Sequence, residues 1–183
     1  FRDPERPIPG DPQLMVSPAD GLVSDVEQLP HHDLLNGPCV RVGIFLSVFN
    51  VHVNRSPCEG KVTQIIYKKG KFINAMSHAA ASSDNESNTL VLADPADRPI
   101  AVVKQIVGLI ARRIICDAKI GDTYARGQRF GMIKFGSRTE LYIPLWIEPN
   151  VQVKVGQKVR GGIDIIAKLS AVPAAAAQPG ATA

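Results

Sequence analysis

A glycine followed by a serine, Gly136-Ser137, joins two apolar runs, Gln128–Phe135 and Leu141–Ile147. Such a pair reads in two ways. In a β-strand it is a glycine bulge with a small polar neighbour. It is also the minimum for self-processing. Glycine lacks the Cβ that would hinder attack on its carbonyl, and serine brings a hydroxyl to the next residue. That hydroxyl is a weak nucleophile unless a base lies beside it. The chain offers Asp20 in Ser17-Pro18-Ala19-Asp20-Gly21, then His52 between Val51 and Val53, and then Ser137. An Asp–His–Ser set is the smallest device that activates a serine. Residue types alone leave the plainer readings open. Asp20 before Gly21 also suits a turn, and a lone histidine in an apolar stretch also serves as a hydrogen-bonded structural residue.

The composition sets the frame that must position these groups. With 183 residues the chain fits one domain or two small ones, and 45% apolar residues suffice for a core. Fourteen prolines and fifteen glycines, spread along the chain, argue for many short strands and against long helices. A formal charge of +4 suits an anionic lipid surface. Nucleic acid is disfavoured as a partner, because no basic helix or aromatic-interleaved motif is present. Cys39, Cys58 and Cys116 show neither C-x-x-C nor Cys/His ligand spacing, so they read as reduced thiols with packing roles and no metal is expected. The apolar stretch Ile106–Ala111 is too short to span a bilayer. No signal peptide is visible, and the chain starts at Phe1.

Residues 1–12, rich in proline and charge, read as an extended arm outside the core. Strands are expected around the Pro18–Gly21 turn, over Cys39–Ser47, and over Gly60–Tyr67, Thr89–Ala93 and Ile100–Ile110, with Phe49–Pro57 a strand end or corner stopped by proline. Leu29–Gly37, with His31 and His32 between Pro30 and Asn36-Gly37, reads as a solvated loop. Phe72–Asn88 reads as a long polar loop, and Ser77–Asn88 within it as a lid over the site. Gly121-Asp-Thr-Tyr-Ala-Arg-Gly127 is echoed 35 residues on by Gly156-Gln-Lys-Val-Arg-Gly-Gly162, each copy followed by an apolar run. Two such turns predict a pseudo-symmetric, mainly β barrel or sandwich of lipoyl-like hybrid-barrel character, with few short helices. The domain expected is a single β domain over 13–170, and residues 171–183 are a low-complexity tail expected to be disordered.

Five stretches, in order, carry a family resemblance. They are Phe1-Arg2-Asp3-Pro4-Glu5-Arg6, Ser17-Pro18-Ala19-Asp20-Gly21, Phe45 through Pro57 with Asn50-Val51-His52 inside it, Asp84-Asn85-Glu86, and Arg126 through Ser137. Together the chain, over about residues 1–168, resembles the pyruvoyl-dependent phosphatidylserine decarboxylase proenzymes of the short bacterial and archaeal type. The resemblance implies autocatalytic cleavage between Gly136 and Ser137, giving a β chain (1–136) and an α chain (137–183) that stay partners. It makes Ser137 the nucleophile that becomes a covalently bound pyruvoyl group, with His52 and Asp20 activating it. Arg55, Asn85 and Glu86 become substrate-binding residues. Longer relatives carry a second histidine where this chain has Arg55. The implied reaction converts phosphatidylserine in a membrane to phosphatidylethanolamine and carbon dioxide. The implied location is peripheral, on the cytoplasmic side of the cell membrane, with a hydrophobic segment upstream of Phe1 missing from this chain. Lys68, Lys69, Lys71, Arg112 and Arg113 are then expected to meet anionic headgroups. Oligomeric state stays open. Two other readings stand beside this one: a pyruvoyl enzyme acting on a soluble amino acid, and a non-enzymatic lipoyl-like binding module.

Overall fold

The computed structural model describes residues 3–71, 75, 83–108, 113–134 and 136–171. Among the described residues there are fourteen strands, and helical elements are confined to short turns. The main sheet has eight antiparallel strands and curls strongly into a half-barrel. Its order is β13 (Lys158–Val159), β2 (Gly21–His32), β3 (Gly37–Leu46), β11 (Ser137–Pro144), β7 (Pro99–Ile106), β6 (Ser87–Ala93), β5 (Gly60–Lys68) and β9 (Thr123–Tyr124). Two three-stranded sheets complete it. One orders β1 (Leu14–Val16), β14 (Ile165–Leu169) and β12 (Pro149–Val151); the other orders β4 (Val53–Arg55), β10 (Arg129–Ile133) and β8 (Ile114–Cys116). The fold is mainly β, as composition and turn spacing predict.

The echo between the two glycine turns is matched in three dimensions. Gly121 and Gly156 both have positive φ, and each donates to a valine carbonyl, Val62 or Val23, at 2.8 Å. Gly127 and Gly162, also at positive φ, donate to Ser56 and Ser17 at 2.8 Å. The acceptors belong to a second echo that the turn pattern alone does not reveal: Ser17-Pro18-Ala19-Asp20-Gly21-Leu22-Val23 against Ser56-Pro57-Cys58-Glu59-Gly60-Lys61-Val62. In both copies the serine hydroxyl donates to the carbonyl two residues on, at 2.7 Å. Every strand thus has a counterpart, and β7 and β11 meet at the centre. The inner face of the curled sheet packs Val42, Ile44, Leu46, Val103, Leu141 and Ile143 into the core, and the outer face buries a smaller cluster around Val102 and Tyr142.

Three local expectations need correction. The arm is extended, yet it is bound to the barrel. Ile8 lies between Gly127 and Gly162, where a Cβ would come within 2.8 Å and 3.1 Å of its side chain, and Arg126 donates to the carbonyls of Pro9, Asp11 and Leu14. Leu29 to His32 are strand rather than loop. The edge of β2 tolerates Pro30, and the chain turns only at the 3-10 turn Asp33–Leu35, which His32 caps by accepting from the Leu34 N–H at 3.2 Å. The His32 ring packs on Tyr142, with centroids 4.5 Å apart, so it is not a solvated surface group. Ser87 and Asn88 open a fully buried strand, so the polar loop ends earlier than its composition indicates. Residues 72–74 and 76–82 of the expected loop, among them 77–82 of the expected lid, and residues 172–183 of the tail lie outside the described residues.

Candidate active site

Ser137 is the first residue of β11, paired with Leu46 of β3 on one side and followed by the Arg138–Ile106 pair with β7 on the other. Strand alternation sends Ser137, Thr139, Leu141 and Ile143 to the inner face and Arg138, Glu140 and Tyr142 to the outer. The Ser137 side chain is fully buried, and its Oγ has no hydrogen-bond partner. A buried hydroxyl without a partner is costly, and native folds keep few of them unless they have a task. Beside it runs a buried chain of amides. Asn54 Nδ2 donates to Thr139 Oγ1 at 3.1 Å, Gln105 Nε2 to Asn54 Oδ1 at 3.0 Å, and Asn88 Nδ2 to Gln105 Oε1 at 3.0 Å. Sequence reading missed all four residues. The signal was there for Thr139, which stands two places after Ser137 on the same strand and so shares its face.

His52 sits between the Ser47–Asn50 turn and β4. Asn50 Oδ1 closes that turn by accepting from the N–H and hydroxyl of Ser47, both at 2.8 Å. The His52 carbonyl accepts from Ile133 N–H at 3.1 Å, which ties its backbone to the end of β10, just before Gly136. The ring is buried, including Nε2, and hydrogen-bonds the backbone of Asn50. Burial pulls its pKa below the usual value, against that hydrogen bond and the Asp20 charge, which both raise it. At neutral pH His52 is therefore a neutral imidazole, the form that accepts a proton. Gly136 has φ 62, the left-handed region that favours glycine.

Asp20 faces this group through its field rather than through a bond. Its carboxylate accepts from Arg6 at 2.5 and 2.9 Å and from the Gly161 N–H at 2.8 Å. Arg6, from the arm, is a participant the sequence reading did not assign. Arg55 is buried too. It pairs with Asp3 at 2.8 Å and donates to the Gly127 carbonyl at 2.9 Å, and Arg129 also pairs with Asp3. Asn85 is fully buried, with its Nδ2 on the Val107 carbonyl at 2.8 Å; the Glu86 carbonyl accepts from the Val107 N–H at 3.1 Å. Both therefore hold the end of β7. Lys68, Lys69, Lys71, Arg113 and Lys134 are exposed around the Ser137 end, while Arg112 lies outside the described residues. A cavity of about 650 Å³ lined by Met15, Cys58, Ala93, Ile100 and Leu169 lies at the far ends of β6 and β7, away from Ser137.

Comparison with known proteins decides the affiliation. The family model described as phosphatidylserine decarboxylase matches residues 1–167. The chain belongs to that family. It is 52% identical over 172 residues to a phosphatidylserine decarboxylase proenzyme of Gluconacetobacter diazotrophicus, covering 92% of this chain and 75% of that one. It is 51% identical to the proenzyme of Granulibacter bethesdensis, covering 93% and 69%, and 48% identical to that of Syntrophus aciditrophicus, covering 88% and 74%. The matched span includes the arm with Asp3 and Arg6, the Asp20 turn, His52 and the Gly136-Ser137 link. Among the described residues no helix is long and apolar enough to cross a membrane.

Proposed function

We propose that this chain is a self-processing decarboxylase that converts phosphatidylserine to phosphatidylethanolamine and carbon dioxide. The observation that carries the reading is the buried, unpartnered hydroxyl of Ser137 next to a left-handed glycine, in a chain of this family. Ser137 Oγ gives its proton to His52 and attacks the Gly136 carbonyl carbon. The C–O bond forms as the C–N bond breaks, so the peptide becomes an ester with a free amine at residue 137. Loss of the Ser137 Cα proton then expels the Gly136 carboxylate. Water displaces ammonia from the remaining unsaturated residue and leaves a pyruvoyl group at 137. That ketone supplies a sink for the electron pair released as carbon dioxide departs.

The chain's own residues do the rest. His52, neutral and buried, holds and returns the proton at each stage. The Asn54–Gln105–Asn88 amides and Thr139 fix the inner face and keep bulk water from the ketone. Asp20 biases His52 electrostatically and is itself held by Arg6 and Gly161. The cut does not release either piece. β11 lies between β3 and β7, β14 pairs β1, and β13 pairs β2, so the α chain is held to the β chain by sheet ladders on several edges.

The surface at the Ser137 end supports a lipid substrate. Phe49, 85% exposed, projects from the turn between Leu46 and His52, with Val48 beside it. Tyr67 stands exposed near the basic side chains of that end. Aromatic tips flanked by lysine and arginine suit an anionic membrane surface. The test is to add borohydride during turnover on phosphatidylserine vesicles and to weigh the 137–183 fragment. A lipid-mass adduct at residue 137, formed in preference to one with a competing soluble amino acid, is expected. Equal or better trapping of the soluble amino acid overturns the lipid assignment.

A further inference from the structure

The register between β7 and β11 pairs Ile106 with Arg138, and two residues further it sets Gly108 opposite Gly136. The ladder is not regular there. A Cβ built on Gly108 would fall deep inside the van der Waals radius of the Gly136 carbonyl oxygen and 2.7 Å from its carbonyl carbon. The next atom it would meet is the Ala75 Cβ, at 3.4 Å. The carbonyl of the cleavage link thus fills the space that any other residue at 108 would need for its side chain. Gly136 presents the opposite case. Apart from its chain neighbours, no described residue lies within 4 Å of where its own Cβ would be, so among the described residues it is glycine for its φ of 62 and not for room.

We propose that Gly108 is a positioning residue for self-cleavage: its missing side chain lets the Gly136 carbonyl turn out of the β7–β11 ladder. This rests on the reading of Gly136-Ser137 as the cut site. In a regular ladder a strand carbonyl lies in the plane of the sheet, along the inter-strand hydrogen bonds. Here the oxygen is drawn to the side of residue 108's absent Cβ. Alternation carried along β7 puts that side with Val102 and Lys104, whereas Ser137 projects to the other face. The carbonyl carbon is then left open toward the hydroxyl. The chain just before Gly108 is held on both polar groups, because the Val107 N–H bonds the Glu86 carbonyl and the Val107 carbonyl accepts from buried Asn85. Asn85 and Glu86 therefore act on the scissile link through residues 107 and 108.

The test compares maturation with turnover. Proenzymes carrying Gly108→Ala, Ser137→Ala or no change are made by cell-free synthesis, and cleavage is followed by denaturing electrophoresis. A misplacement of this size slows a positioned reaction by about a hundredfold, and that slowing is expected for Gly108→Ala. Cleavage frees Gly136 as a carboxyl terminus and removes the constraint, so turnover per pyruvoyl group in the matured fraction should fall far less than cleavage does. Cleavage at the unaltered rate overturns the inference, and so does an equal loss in cleavage and in turnover per pyruvoyl. Cutting of Ser137→Ala between 136 and 137 overturns instead the cleavage reading on which it rests. Melting of Gly108→Ala in a Ser137→Ala background separates slowed cleavage from failure to fold: a cooperative transition close to that of Ser137→Ala alone is expected, and slowed cleavage in a chain that has lost that transition overturns the inference.

Discussion

Replacing Gly136 by alanine separates two explanations for a glycine at the cut. One is steric: no Cβ shields the carbonyl from the hydroxyl. The other is conformational: φ 62 is open to glycine and strained for an L residue. Outside the chain neighbours, no atom of the described residues lies within 4 Å of the Cβ that alanine would add, so packing against them costs nothing. What remains is the left-handed backbone, about 1–2 kcal/mol for an L residue. That reduces the share of molecules in the cleavable conformation by a factor of about 5–30, and the cleavage rate should fall with it. Asparagine visits the left-handed region several-fold more readily than other side chains. Gly136→Asn should therefore cut faster than Gly136→Ala, although its side chain is larger. The assay is the conversion of the single 19.7 kDa band into two, timed after synthesis at fixed temperature. Melting of each variant in a Ser137→Ala background reports whether the proenzyme still folds. If asparagine is slowed as much as alanine or more, shielding of the carbonyl explains the glycine and strain does not. If alanine is not slowed at all, the left-handed conformation has no part in the chemistry.

Two further outcomes follow from charge and burial. His52 has a lowered pKa, so its base form persists below the ordinary imidazole value of 6.5, and the acid limb of the self-cleavage profile should lie below 6.5; a limb at or above it would assign the base elsewhere. The same shift bears on stability: the unfolded chain takes the proton first, so this group's contribution is complete above 6.5 and is lost as pH falls through the lower folded value. On the outer face of β11, Arg138 is fully buried and joins Glu140 at 2.8 Å and Asp25 at 2.5 Å, while its guanidinium lies where a Cβ on Gly43 would stand. Arg138→Leu leaves Glu140 buried without this cation, and the proenzyme should lose about 3–5 kcal/mol in denaturant unfolding; a loss under 1 kcal/mol would show that Lys104 and Tyr142 satisfy Glu140 without it.

Much of this was legible in the sequence, because turns and strands leave local signals. Glycines at 121, 127, 156 and 162 announce positive φ, and alternating Val and Ile announce the half-buried strands between them. The family motifs single out Asp20, His52 and Ser137, and the structure buries all three polar side chains. What stayed hidden depends on contacts between distant segments. Arg6 reads as one charge in a proline-rich arm, and only the folded chain brings it to Asp20. Ser87 and Asn88 look like the end of a polar loop, yet pairing with both β5 and β7 makes them strand. Pro30 reads as a strand breaker, and its place on β2 shows how an isolated proline is absorbed where the register shifts between Leu29 and His32. Gly108 looks like any glycine at the end of an apolar run until the register sets it against Gly136.

On the proposed reading, the duplicated architecture explains why one turn of two takes part in the site. Asp20 and Glu59 occupy matching places, each an acid before a glycine, each after a Ser-Pro pair. The halves differ in what the arm brings to them. It threads between the paired glycines 127 and 162, where Ile8 contacts both, and then delivers Arg6 to Asp20 alone. Asp20 is thereby fixed and buried, close enough for its field to act on His52, whereas Glu59 remains exposed at the rim of the distant cavity. The cleavage link lies between β10 and β11, the one point where the chain passes from one copy's closing strand to the central strand of the other. A cut there breaks no ladder: β11 remains paired with β3 and β7, and β10 with β4 and β8. On the proposed reading, a fold whose two halves interleave converts a backbone serine into its own reactive group and keeps the strands around it paired.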